Sequence, residues 1–216
     1  MHGRQGHPVT PSRARGRRLT VVLAVLVAVA GAAWLLLPRL GGGPAADGPE
    51  AGFARDMSAH HAQAVRMSFT VRDRTGDAAV RRLAFDVITT QQAQIGMMTA
   101  WLDAWKAPHT DPAGPMRWME GHSGHTAGTG VRTMPGMATD AQLAALGAAS
   151  GRDAERRYLQ LMITHHRAGV AMAEAVLART SDEAVRRLAR SIVAGQRAEV
   201  ALMEGMLAER SGRSSR

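Results

Sequence analysis

The sequence predicts an all-α fold, and three observations carry that expectation. An offset of 105 residues aligns residues 53–102 with 158–207 without a gap, and 19 of those 50 positions are identical, so the chain contains an internal duplication. In both copies apolar residues recur at three- and four-residue intervals, with no Gly or Pro cluster to interrupt either long stretch. The 216 residues are 45% apolar, yet hold 13 methionines against three phenylalanines and one tyrosine. A core of Ala, Leu, Val and Met suits helices better than sheets, and a chain of this length can bury one.

Residues 1–18 form a basic N-terminus, and the first 40 residues carry six arginines (Arg4, Arg13, Arg15, Arg17, Arg18, Arg39) and no acid. Residues 19–37, LTVVLAVLVAVAGAAWLLL, carry no charge. At about 1.5 Å per residue this segment reaches roughly 28 Å, close to the hydrocarbon thickness of a bilayer. Its length favours an uncleaved transmembrane anchor, with the arginines in the cytoplasm and the rest of the chain outside it. The alternative is a signal peptide cut after Ala28-Val29-Ala30, which would release a secreted protein. Removing the N-terminal arginines leaves 21 basic against 18 acidic side chains, so the net charge of +9 does not describe the body. The body lacks the basic stripe and interleaved aromatics that nucleic acid requires.

Residues 38–50 are a Gly/Pro linker. The bundle then spans 51–208, with helices expected at 51–72, 77–105, 153–177 and 181–208. Thr180 and Glu183 are spaced as a helix N-cap and its capping-box partner. Pro108 and the glycines after it close the first hairpin, 51–105. The second hairpin, 153–208, follows a crossover over 106–152, in which Thr139 and Gln142 mark the start of a short helix. Two helical hairpins joined by one long crossover give a four-helix bundle of ferritin-like connectivity. Residues 209–216 form a Ser/Gly/Arg tail.

The first helix of each copy carries one string, Met57-x-x-His60-His61-x-x-x-Val65-x-Met67 and Met162-x-x-His165-His166-x-x-x-Val170-x-Met172. At about 100° per residue, Met57, His60, His61 and Met67 share roughly a third of the helix circumference. A pseudo-two-fold axis would set the two strings in equivalent environments, facing one another. Buried imidazoles cost free energy unless their nitrogens find partners, so four of them in two matched pairs favour a functional role over packing. Cysteine is absent, which excludes disulfides, thiolate sites and cysteine nucleophiles. Imidazole with thioether favours copper, particularly Cu(I), over Mg, Ca or Mn, and thioether is a poor zinc ligand. Ferritin-like di-iron sites need Glu-x-x-His motifs facing inward, and none occurs here. Asp56 and Glu174, the acids nearest the strings, do not correspond under the duplication and are expected on solvated faces.

The crossover offers a second His/Met cluster, Met116, Met119, His122 and His125, followed by Met134 and Met137, with His109 upstream. It suits metal capture and, equally, a hydrophobic latch assisted by Trp118. Arg81-Arg82 and Arg186-Arg187 read as a solvated face reaching acids on neighbouring helices. No nucleophile elbow, phosphate-binding loop or dinucleotide fingerprint appears.

At FARDMSAHHAQAVRMS and YLQLMITHHRAGVAMAEA, with MPGMATDAQLAAL between them, the chain resembles the bacterial family called domain of unknown function 305, across roughly 53–207. The resemblance implies a ferritin-like bundle outside the cytoplasm and, for some members, copper binding through His and Met. By resemblance, the family's Met-x-x-His-His positions fall on Met57, His60, His61 and on Met162, His165, His166, and its following Met positions on Met67 and Met172. RDAERRYLQLM departs from the family's Asp-bearing, aromatic-rich lead into the second motif. The expected function is copper sequestration or transfer by a membrane-tethered bundle, working as a homo-oligomer or with a copper-transfer partner protein. A copper-dependent redox enzyme and a metal-free interaction bundle are the alternatives.

Overall fold

The computed structural model describes residues 43–119 and 134–212. The anchor or signal segment 19–37, residues 213–216 and the crossover histidines His122 and His125 lie outside them, while residues 209–212, expected in the tail, continue the last helix. Among the described residues no helix is long and apolar enough to cross a membrane.

The described chain is all-helical: α1 Pro49–Arg72, α2 Ala78–Ala104, α3 Asp140–Ala148, α4 Gly151–Leu177 and α5 Glu183–Gly212, with a 3-10 turn at Arg117–Met119. The helices expected from periodicity are all present, with ends that coincide at Arg72 and Leu177 and shift by one to four residues elsewhere. Helices α1 and α2 pack as one hairpin and α4 and α5 as the other, and the hairpins meet mainly through α1 and α4. Thr139 and Gln142 form the expected capping box of α3.

The start of α5 differs from expectation, because Asp182 and not Thr180 is the cap. Its carboxylate accepts from Val185 N at 2.9 Å, while Thr180 Oγ1 accepts from Asp182 N at 3.0 Å. The first copy repeats the device: Asp77 caps Ala79 N and Val80 N at 3.0 Å, and Thr75 Oγ1 accepts from Asp77 N at 2.9 Å. Of the paired arginines, Arg81, Arg82 and Arg187 are exposed, as expected, but the partners of Arg81 and Arg186 differ from expectation. Arg186 Nη1 donates to the carbonyls of Leu177 and Thr180 at 3.1 and 3.0 Å, and Arg81 donates to those of Arg72 and Thr75. A cation at carbonyls left unpaired by the preceding helix end satisfies its orphan acceptors, and the acid that Arg186 also approaches, Glu183 at 4.0 Å, lies on its own helix and not on a neighbouring one.

Two apolar clusters fill the bundle. One gathers Ala64, Met67 and Val71 of α1, Val80 to Val87 of α2, Tyr158 to Ile163 of α4, and Met203 and Met206 of α5. The other gathers Ala51 to Met57 of α1, Met98 and Leu102 of α2, Met172 to Val176 of α4, and Val185 to Ile192 of α5. The C-terminal half of α1 therefore lies with the N-terminal half of α4, an antiparallel arrangement. Each fully buried Met or Leu contributes about 1.5–3 kcal/mol. The end of the bundle nearest the α1–α2 turn is clamped by Arg210, which meets Glu155 at 2.7 Å and Asp77 at 2.9 Å, while Thr75 donates to Glu155 at 2.6 Å.

Candidate metal centre

Between the two apolar clusters lies a polar layer. His60 and His61 of α1 and His165 and His166 of α4 are all 0% exposed. Because α1 and α4 run antiparallel, the duplicated strings meet at their histidines. His60 stacks on His165 with ring centroids 3.7 Å apart and planes 29° from parallel. The same geometry divides the methionines. Met57 and Met172 belong to the cluster on one side of the layer, and Met67 and Met162 to the cluster on the other. All four are at most 1% exposed.

The second helices and the crossover complete the layer. His61 Nε2 donates to Gln94 Oε1 at 2.7 Å, and His166 Nε2 donates to Glu199 Oε2 at 2.8 Å. His60 Nε2 donates to the Pro135 carbonyl at 3.2 Å. Pro135 sits on a strap held to α1 by the Gln63 amide, which donates to Ala138 O at 2.9 Å and accepts from Ala138 N at 2.7 Å. Gly136, at φ +74°, lets the strap lie against α4, since a Cβ there would stand 2.4 Å from Ala168 Cβ.

Burial sets the protonation of the layer. Desolvation pulls His60 down to about 4, and the Pro135 carbonyl only partly opposes it. Desolvation, then repulsion from His60, takes His61 down to about 3. His165 is lowered by burial first and then by the three neighbouring imidazoles. These three rings are neutral at neutral pH and carry lone pairs. Nδ1 of His60, His61 and His166 and both nitrogens of His165 meet no hydrogen-bond partner, and neither do the amide atoms of Gln91 and Gln196. Each buried orphan polar atom costs about 1–3 kcal/mol, so a core selected for stability alone would not concentrate them in one layer.

Orphaned imidazole nitrogens flanked by buried thioethers fit a soft, low-charge ion such as Cu(I). Among the described residues no three His, Asp or Glu side chains are grouped to hold a metal ion. The donor set here is imidazole and thioether, and its central pair is a ring stack.

Met116 and Met119 pack, half-buried with Trp118, against the cluster that holds Met57 and Met172. Asp56 corrects the expectation of a solvated acid: it is 7% exposed, and its carboxylate accepts from Met116 N at 2.7 Å and Trp118 Nε1 at 2.8 Å. Burial raises its pKa above the usual carboxylate value. Glu174 lies on a solvated face, as expected, where it pairs with Arg197. The periodicity of the first helices could not reveal Gln94, Glu199 or Pro135. The signal available for the first two was their correspondence at the 105-residue offset, beside the matched Gln91 and Gln196.

The helical fold is shared with known proteins. A DUF305 protein from Streptomyces coelicolor, described as secreted, superposes with a TM-score of 0.71 at 50% identity, covering 77% of this chain and 96% of that one. A DUF305 fragment from Deinococcus radiodurans gives 0.63 at 36% identity, covering 77% and 99%. CopM in its Cu(II)-bound form gives 0.55 at 26% identity, covering 73% and 94%. None of the curated proteins matches the sequence. The family pattern described as "Domain of unknown function (DUF305)" matches residues 50–207. With that match spanning most of its length, the chain belongs to the DUF305 family.

Proposed function

We propose that the protein binds copper, as Cu(I), in the layer between its two apolar clusters, and sequesters it or passes it on outside the cytoplasm. His60, His61, His165 and His166 supply nitrogen, and Met57, Met67, Met162 and Met172 supply thioether. The observation that carries the reading is the set of orphaned imidazole nitrogens at 0% exposure between two pairs of buried methionines. The DUF305 neighbour CopM, solved with Cu(II) bound, supports copper as the ion. The secreted description of the Streptomyces relative supports an extracytoplasmic site, to which residues 19–37 tether the bundle. The bundle is the ferritin-like, duplicated four-helix type, in which the chain's own residues exclude water and orient the rings. By their spacing in the sequence, Met116, Met119, His122 and His125 of the crossover are a further candidate donor set for copper capture.

Copper content after Cu(I) loading and desalting tests this. The purified chain is expected to retain copper, and a variant with His60, His61, His165 and His166 changed to leucine is expected to retain none while keeping its helical content. Equal retention by both would place the site elsewhere.

A further inference from the structure

The imidazole nitrogens of the layer are not equivalent, because the groups that hold them differ in what they can do with a proton. His60 Nε2 lies 3.2 Å from the Pro135 carbonyl oxygen, and His166 Nε2 lies 2.8 Å from Glu199 Oε2. A backbone carbonyl and a carboxylate accept hydrogen bonds and have no proton to give, so both rings must carry a proton on Nε2. A neutral imidazole holds a single N–H, which leaves the lone pair of each ring on Nδ1.

We propose that Glu199 and the Pro135 carbonyl are positioning groups of the metal centre, which fix His166 and His60 as Nε2–H tautomers so that Cu(I) is taken at Nδ1 of one ring from each string. The assignment rests on the copper reading above and names the atoms which that reading leaves open.

Nδ1 of both rings is buried and meets no hydrogen-bond partner, so each lone pair is unused by the protein and free for an ion. The two rings come from different helices, yet each lies near enough for a charge on His166 to disfavour one on His60. Both holding groups stand outside the α1–α4 pair, Glu199 on α5 and Pro135 on the strap, and neither supplies an atom to the pair of lone pairs it sets up. The other two rings are not fixed in this way. Gln94, which meets His61, carries an amide donor as well as an acceptor and does not dictate a tautomer. His165 has no partner on either nitrogen. Metal-binding imidazoles are ordinarily oriented by a carboxylate or carbonyl on the nitrogen away from the metal, which is the relation that His60 and His166 show.

Nuclear magnetic resonance of the full chain, isotope-labelled at the histidine nitrogens, tests the assignment before and during stepwise addition of Cu(I) under reductant. In the metal-free chain His60 and His166 are each expected to show a protonated Nε2 and a bare Nδ1. Cu(I), which is diamagnetic, is expected to shift Nδ1 of both and to leave their Nε2 protons in place. Glu199→Leu removes the acceptor, and is expected to let His166 populate both tautomers and to weaken Cu(I) binding by about 10- to 100-fold with helical content retained. Should that variant not fold, the labelled unaltered chain decides alone. A proton on Nδ1 of either ring in the metal-free chain, or Cu(I) displacing the Nε2 proton, would overturn the assignment and spare the copper reading. Histidine resonances that Cu(I) leaves unmoved would overturn the copper reading, and the assignment with it.

Discussion

Burial that strips water from the imidazoles also leaves His60 near 4 and His61 near 3, whereas histidines of the unfolded chain titrate near 6.5. Between about 6.5 and about 4 the unfolded chain binds protons that the folded chain does not, so stability rises with pH in that window and falls on acidification. Denaturant unfolding at pH 5 should show a loss of roughly 2 kcal/mol for each of these two residues relative to pH 7.5. A midpoint that does not move with pH would contradict their neutral burial. His165 offers a sharper test of purpose, since neither of its nitrogens has a partner. Its replacement by leucine removes an unsatisfied polar group, and is expected to raise the Tm of the metal-free chain by roughly 2–8 °C while weakening copper retention. A lower Tm with unchanged copper would make the ring a packing element.

The helices were legible because their apolar period is long and uninterrupted, and the capping box at Thr139 was legible because both partners lie three residues apart. Contacts between distant residues were not. Asp182 was passed over for Thr180 because both are good capping residues and only backbone direction separates them. Arg210, Glu155, Thr75 and Asp77 come from three regions of sequence, and nothing local marks them as one clamp. Arg210 and Glu155 are each 5% exposed, so Arg210→Ala leaves a buried carboxylate without its partner. The expected cost is about 3–5 kcal/mol by chemical denaturation, and a change below about 1 kcal/mol would reduce the clamp to a surface pair. The strap over His60 depends on Gly136 in the left-handed region, 2.4 Å from Ala168 Cβ once a side chain is added. Gly136→Ala should lift the strap, break the Pro135 contact and speed copper release in chelator-challenge kinetics, and an unchanged release rate would show that the strap does not guard the layer.

At the scale of the whole molecule, two apolar clusters hold the bundle together and permit a layer between them that is poorly satisfied. The sequence showed the four histidines and four methionines of the repeated strings, and a pseudo-two-fold reading foresaw that the strings would face. It did not show that antiparallel packing pairs Met57 with Met172 and Met67 with Met162, because that pairing follows from how α1 and α4 cross and not from spacing along either. Nor did it show Asp56 buried under the Met116–Trp118 turn, since burial of that acid depends on a crossover with no regular period. The central claim is that one layer supplies both nitrogen and sulfur to copper. X-ray absorption at the copper edge of the Cu(I)-loaded chain tests it most directly. Scattering from both imidazole nitrogen and thioether sulfur, lost in the four-histidine variant, is the result expected. A copper environment of nitrogen and oxygen alone, or one unchanged in that variant, would contradict it.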